Sequence, residues 1–428
     1  MKTKVMTAAA LCTVLLCSFP AFAEKGKSTK GDPSVTPWHD PQDPYVILLN
    51  KDDKNKPADM MKRNKMQDRS IRGPIDLQRY AGGHAFDGFP TYFNAPVARF
   101  PEDLKAGDID VAVVGVTTDL NGVRGTAFGA NMLRGFVSKS SYYFSPKGDG
   151  KQTRKRTKDS LTDQYVRSSL DEVNIVDYGN IKANMFSAEF STDEMRKVLG
   201  EIHEGGAIPL MVGGSHDNIY GHILSVADAY GRNNFCVVHF DSHIDTMSQS
   251  NYGFWVHNAN GMWAGVEMGL FKGEDAVHVG LSSLAPTDAQ MEWTRKNGFR
   301  YHFKAEIERD GWKTVMERVL DDVKECENLV VTIDIDVMDQ VYVPGTGGRE
   351  PDGPSSQEMN TLVRALAIQN NIVSFEIAEY NPMLDSRNGQ TATVVRGLMD
   401  HFIWGFAARK RGITDPFYLH PLNVDDGR

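Results

Sequence analysis

Two apolar stretches in this chain run directly into closely spaced acids. That pairing restricts the fold more than any other feature. Residues 237–245 read Val-Val-His-Phe-Asp-Ser-His-Ile-Asp, and residues 329–339 read Leu-Val-Val-Thr-Ile-Asp-Ile-Asp-Val-Met-Asp. Each reads as a buried strand whose carboxyl end presents acids. In open α/β sheets, sites form just beyond the carboxyl ends of strands. Extended alternation puts Asp241, His243 and Asp245 on one side, with Ser242 and Ile244 turned away. The same rule puts Asp334 and Asp336 on one face. Buried carboxylates are costly without a counter-charge, so these acids need a cation. Taken alone, the first stretch also fits a solvated loop.

A third apolar run, 208–212, ends in Gly213-Gly214-Ser215-His216-Asp217 and offers one more imidazole. Two His and four Asp suit hard or borderline divalent ions. The set is large enough for two ions with shared carboxylates. Two ions a few ångströms apart can activate one water and polarise an electrophile.

Gly-Gly-x-His, Asp-x-His-x-Asp and Asp-x-Asp-x-x-Asp, in this order, resemble the ureohydrolases, the family of arginases and agmatinases. The resemblance extends over roughly residues 84–405 and is nearest the agmatinase-like members. It implies a three-layer α/β/α sandwich with a mainly parallel sheet. The alternation of strand-like and helix-like segments predicts the same α/β class. Strands are expected at 110–115, 173–178, 277–280 and 372–377. Helices are expected from Thr192 to about Glu204, opened by a capping residue and early acids, and over 355–370.

On this resemblance, Asp241 and Asp334 bridge two ions. His216 and Asp245 complete the shell of one, and His243 and Asp336 that of the other. Manganese is the expected metal, with nickel as the alternative. Glu379, in Ala-Glu-Tyr-Asn-Pro, resembles the family's Glu-Val-Asn-Pro glutamate that grips a guanidinium. A planar carboxylate suits that planar fork. Asp245 is expected to carry a proton to the leaving nitrogen, and His257 to exchange protons with solvent. Asp119 and Arg124 are expected to line the mouth, although their Gly-rich loop equally fits a simple turn. His239 and His278 are expected as core histidines, and Glu376 as a surface or outer acid.

The expected reaction is hydrolysis of a linear guanidino compound to urea and an amine. Agmatine or a guanidino acid such as 4-guanidinobutyrate is the expected substrate. Arg349 is the candidate partner for a carboxylate tail. The alternatives are hydrolysis of guanidine or of a formimino C–N bond, and a metal-binding relative without turnover. Three departures from the family bear on this. The family's Gly-Gly-Asp-His-Ser appears here with Ser215 and Asp217 exchanged, the loop at 257–263 lacks the family's His-Gly-Thr, and Gly348-Arg349 replaces Thr-Pro.

Residues 1–23 read as an export signal. Lys2 and Lys4 precede an apolar run to Phe19, and Ala21-Phe22-Ala23 fits a cleavage site. The run is too short for a stable membrane span. A periplasmic or secreted protein is therefore expected. Residues 24–82 read as a polar arm with a short helix near 59–68, and 83–428 as the catalytic domain. A basic stretch at 147–158 reads as an inserted, solvated loop. A net charge of −9 argues against a nucleic-acid partner. The resemblance implies a homo-oligomer, trimer or hexamer, acting on a small guanidino molecule. Export permits a disulfide between Cys236 and Cys326. Nothing in the sequence requires one, and free thiols are expected.

Overall fold

The computed structural model describes residues 72–77, 89–119, 124–137, 173–184, 187–248, 256–282 and 286–419. The export signal, the 59–68 helix and the basic stretch 147–158 lie outside them.

Eight strands form the sheet. They are β1 (Val111–Gly115), β2 (Ile175–Asn180), β3 (Ile208–Val212), β4 (Cys236–Phe240), β5 (Ala276–Leu281), β6 (Arg300–Phe303), β7 (Leu329–Asp334) and β8 (Ile372–Ala378). Their order is β2-β1-β3-β8-β7-β4-β5-β6, and every neighbouring pair is parallel. The later strands β7 and β8 fill the gap between β3 and β4. That reversal of strand order opens a crevice at the carboxyl ends of the four central strands.

Six helices matter for the layers: α1 (Ala188–Glu204), α2 (Asn218–Tyr230), α3 (Gly261–Glu267), α4 (Trp312–Asp322), α5 (Ser356–Gln369) and α6 (Gln390–Lys410). Alternation along the strands feeds two separate cores. Leu210, Val212, Val238, Phe240, Val331 and Ile333 pack with residues of α4, α5 and α6. On the opposite face Val237 and Val330 pack with α2 and α3, while Val114 and Met211 pack with α1. Each fully buried aliphatic or aromatic side chain contributes about 1.5–3 kcal/mol. The result is the three-layer sandwich that the resemblance implies.

α1 begins earlier than the sequence suggests. Ser187 is its cap and accepts from the Phe190 N–H at 3.1 Å, so Thr192 lies one turn inside. α5 starts where expected. Ser355 and Glu358 form a reciprocal capping box.

The expectation of free thiols is overturned. Cys236, at the start of β4, is disulfide-bonded to Cys326, with their Cα atoms 6.0 Å apart. Parallel pairing of β4 with β7 sets Cys236 opposite Leu329 and so brings Cys326, just ahead of β7, within reach. Among the described residues no helix is long and apolar enough to cross a membrane.

Candidate metal centre

The acids gather at the sheet's carboxyl edge, but not by strand alternation. β4 ends at Phe240 and β7 at Asp334. Beyond those points turns aim the side chains. Asp334 accepts from the backbone N–H of Asp336 at 2.9 Å, closing a 3₁₀ turn over Ile335–Val337. Asp241 accepts from the backbone N–H of His243 at 2.7 Å. Asp245 has a left-handed φ of 49°. Such backbone costs about 1–3 kcal/mol and persists where function requires it. Ser242, expected to turn away, instead donates to Asp336 at 2.7 Å.

The six expected ligands converge. His216 Nδ1 lies 3.0 Å from Asp241, 3.4 Å from Asp245 and 3.4 Å from Asp334. His243 Nδ1 lies 3.2 Å from both Asp241 and Asp336. Two groupings are each compact enough for one ion: His216, His239, Asp241 and Asp245, and separately Asp241, His243 and Asp336. Asp241 belongs to both. Asp334 adjoins the first through His216. His243 is 39% exposed whereas Asp241 and Asp336 are buried, so the second grouping faces the solvent side.

The residues fit divalent cations. All four carboxylates are buried. Among the described residues, their only ion-pair partners are histidines. Asp245 Oδ2 is buried with no hydrogen-bond donor. Burial and then mutual repulsion push Asp245, Asp334 and Asp336 upward. Bound cations reverse that balance.

Glu379 reaches this cluster from the end of β8. Its Oε1 accepts the His216 backbone N–H at 2.8 Å. Its backbone N–H donates to the Gly214 carbonyl at 2.8 Å, with φ at 62°. Burial pushes its carboxyl up to about 8, and a planar cation beside it would favour the charged form that can grip it.

His257 is buried in the loop that follows the metal residues. Its Nδ1 accepts from Ala259 N–H at 3.2 Å, which leaves Nε2 to carry the proton of the neutral ring. Burial lowers its pKa. Two backbone bonds, Met247 to Ala259 and Trp263 to Asp245, tie its loop to the metal loop.

Asp119 uses both carboxylate oxygens inside its own loop. It accepts from Gly125 N–H at 2.8 Å and Thr126 Oγ1 at 3.0 Å. The Arg124 carbonyl accepts from Asn381 at 3.2 Å. Arg349 is exposed. Its neighbour Gly348 lies so close to the centre that a Cβ would sit 2.4 Å from Asp336 Oδ2 and 3.0 Å from His243 Cε1.

Sequence reasoning missed the layer beneath the ligands. His239 is buried, as expected of a core histidine, but its Nε2 faces Asp241 at 3.2 Å. Glu376, expected either at the surface or just behind the ligands, is fully buried, which leaves the second alternative. The available signal was alternation: His239 and Thr332 precede Asp241 and Asp334 by two positions.

Residues 109–404 match the arginase family, well over half of the 428-residue chain. The chain belongs to the arginase family. Its membership makes it a ureohydrolase-type hydrolase of C–N bonds, with a His/Asp cluster able to hold metal ions. This arginase-family chain is 25% identical over 326 residues to a proclavaminate amidinohydrolase of Streptomyces clavuligerus, covering 75% of this chain and 96% of that one. The solved structure of that amidinohydrolase matches with a TM-score of 0.63 over 76% of this chain and 100% of its own, at 23% identity. A guanidinobutyrase of Pseudomonas aeruginosa is 24% identical over 336 residues, covering 76% of this chain and 95% of its own. A Trypanosoma cruzi formiminoglutamase solved with Mn²⁺ shares the fold, with a TM-score of 0.61 at 18% identity, over 72% of this chain and 99% of that one.

Proposed function

We propose that this protein hydrolyses a linear guanidino compound carrying a carboxylate tail, of the 4-guanidinobutyrate type, to urea and the corresponding amine. One observation carries the reading: the buried Glu379 carboxylate sits against the backbone of His216, at the edge of the carboxylate cluster. A guanidinium held there by paired hydrogen bonds would present its central carbon to that cluster.

The metal ions, when bound, supply Lewis acidity that makes water a nucleophile near neutral pH. His216, Asp241, Asp245, Asp334, His243 and Asp336 would hold them. Manganese is the preferred occupant and nickel the alternative; the mixed carboxylate and imidazole set suits either, and the trypanosomal relative was solved with Mn²⁺. Asp245 accepts the proton released from water and passes it to the leaving nitrogen. His257 exchanges protons with solvent.

The tail assignment rests on two cations. Arg349 is exposed beside Gly348, which touches the centre. Lys304 lines a neighbouring cavity of about 730 Å³ together with Ser282, Glu308, Glu350 and Asp352. Asp352, Glu350 and Asp339 lie near enough to favour its charged form, but among the described residues none of the hydrogen bonds or ion pairs ends on it. Ser282 joins that cavity to the centre through its N–H bond to the Ser242 carbonyl at 3.1 Å. The names of the Streptomyces and Pseudomonas relatives are consistent with an amidino substrate.

Export to an oxidising compartment belongs to the same proposal, supported by the export-type leader and the Cys236–Cys326 bond. So does a trimeric or hexameric assembly, expected from the family.

The test is urea release from metal-depleted protein reloaded with Mn²⁺ or Ni²⁺. The panel is 4-guanidinobutyrate, 3-guanidinopropionate, agmatine, arginine and free guanidine. Fastest turnover of a guanidino acid, with KM raised at least tenfold in Lys304→Ala or Arg349→Ala, is expected. Turnover of agmatine or guanidine alone would sink the tail assignment. Ammonia from a formimino compound without urea would move the reaction to that class.

A further inference from the structure

A row of polar side chains runs across the sheet directly beneath the metal centre. His278, His239, Thr332 and Glu376 occupy paired positions on β5, β4, β7 and β8. All four are buried. The row continues into α2, because His222 Nδ1 lies 3.0 Å from Glu376 Oε2 and its Nε2 lies 2.6 Å from Ser374 Oγ. A sheet interior normally carries apolar side chains at such positions, so an unbroken polar row requires a reason.

The hydrogen-bond directions supply one. His216 has two ring nitrogens, and Nδ1 faces Asp241, Asp245 and Asp334. Its Nε2 lies 3.0 Å from Thr332 Oγ1. The Thr332 hydroxyl has one hydrogen, and it goes to Glu376 Oε2 at 2.9 Å. An ionised carboxylate only accepts. Facing His216, Oγ1 therefore has only a lone pair to offer. His216 Nε2 must then be the protonated nitrogen, which leaves Nδ1 with the lone pair a metal needs. Without Glu376, Thr332 is free to donate to Nε2. That stabilises the opposite tautomer, whose Nδ1–H cannot bind a metal. His222 holds Glu376 in the ionised form against the cost of burial.

We propose that Glu376, acting through Thr332, is a positioning residue that fixes the tautomer of His216 and so sets the affinity of the inner metal position. This inference rests on the reading that the centre holds two divalent ions. The hydrogen bond behind a metal-bound histidine typically changes metal affinity about 10–100-fold.

The test is Mn²⁺ binding to metal-depleted full-length protein, by calorimetry and elemental analysis, with the melting temperature of the metal-free form alongside. Wild type is compared with Thr332→Val, Thr332→Ser and Glu376→Leu. Thr332→Val keeps the side-chain shape and removes the relay. It is expected to weaken one of two Mn²⁺ equivalents by about 10–100-fold. Thr332→Ser, which keeps the hydroxyl, is expected to bind like wild type. A purely structural role for Thr332 would lower the metal-free melting temperature and leave the two equivalents alike. Two equivalents of unchanged affinity in Thr332→Val overturn the inference and leave the two-ion reading standing. Failure of wild type to bind two equivalents overturns the two-ion reading itself. If Thr332→Val does not fold, Glu376→Leu, which removes the acceptor of the Thr332 hydroxyl, decides: weakened binding of one equivalent supports the relay, and unchanged binding overturns it.

Discussion

Ser215 donates its hydroxyl hydrogen to Asp217, across His216, an expected metal ligand. The Gly-Gly-Asp-His-Ser pattern that this stretch resembles has Asp and Ser in the opposite order around the histidine. The exchange therefore preserves a hydroxyl–carboxylate pair and trades only which side holds the charge. Thr118 Oγ1 completes the pocket by accepting the Ser215 backbone N–H at 3.1 Å. Asp217 is buried, and burial pushes its carboxyl up to about 7.

The pair should therefore behave as a unit. Asp217→Ala is expected to cost roughly 1–3 kcal/mol, the usual loss when a buried hydrogen-bond partner is removed. The double exchange Ser215→Asp with Asp217→Ser restores one donor and one acceptor, and should recover most of that loss. Urea-unfolding midpoints of the three proteins measure it. A double exchange no more stable than Asp217→Ala would show that the two side chains do not act as a pair.

Gly348 is needed for its missing side chain. A Cβ there would lie 2.4 Å from Asp336 Oδ2 and 3.0 Å from His243 Cε1. Neither neighbour can give way without leaving the second ion grouping. Gly348→Val is expected to lose one bound metal equivalent, and with it at least about 100-fold in kcat, the scale of a displaced catalytic group. The fold should be unchanged by circular dichroism. Full metal occupancy in the variant would show that the loop moves aside.

Much of the centre was legible because its chemistry is local. Apolar runs ending in acids at 237–245 and 329–339 locate two strand ends and five of six expected ligands. Three features were not legible. Side-chain direction beyond Phe240 and Asp334 follows turns rather than strand alternation, so Ser242 faces Asp336. The row under the centre joins residues such as His216 and Thr332, 116 positions apart, through pairing that only the assembled sheet creates. A lone His, Thr or Glu in an apolar run gives no sign of that neighbour. The Cys236–Cys326 bond depends in the same way on β4 lying beside β7.

That bond sits at the end of the sheet opposite the His/Asp cluster. Cys236 precedes Asp241 by five residues, about 16 Å of extended strand. It closes a span of 90 residues. Closure of such a span restricts the unfolded chain by about 4–5 kcal/mol in the chain-entropy model. Cys236→Ser with Cys326→Ser is expected to lose a large part of that stability, to bind metal normally, and to become insensitive to reductant. Wild type should be destabilised by reductant to the level of the double variant. Identical unfolding curves with and without reductant would show that the bond contributes nothing.

His203, in the last turn of α1, gives a pH dependence remote from the metals. Both ring nitrogens are buried without a hydrogen-bond partner, and the ring meets Tyr230 edge-on at 5.4 Å. Burial, with a smaller contribution from His222, lowers its pKa to about 4. The unfolded chain takes up this proton near pH 6.5, before the folded protein does. Above that pH the residue leaves stability unchanged. Between pH 6.5 and about 4 each step down favours unfolding, because only the unfolded state gains the proton. At pH 5 the penalty is about 2 kcal/mol. His203→Phe keeps the ring against Tyr230 and removes the titration. Urea midpoints at pH 7.5 and pH 5 should therefore converge in the variant by that amount relative to wild type. An unchanged difference between the two pH values would mean that His203 is hydrated or paired in solution.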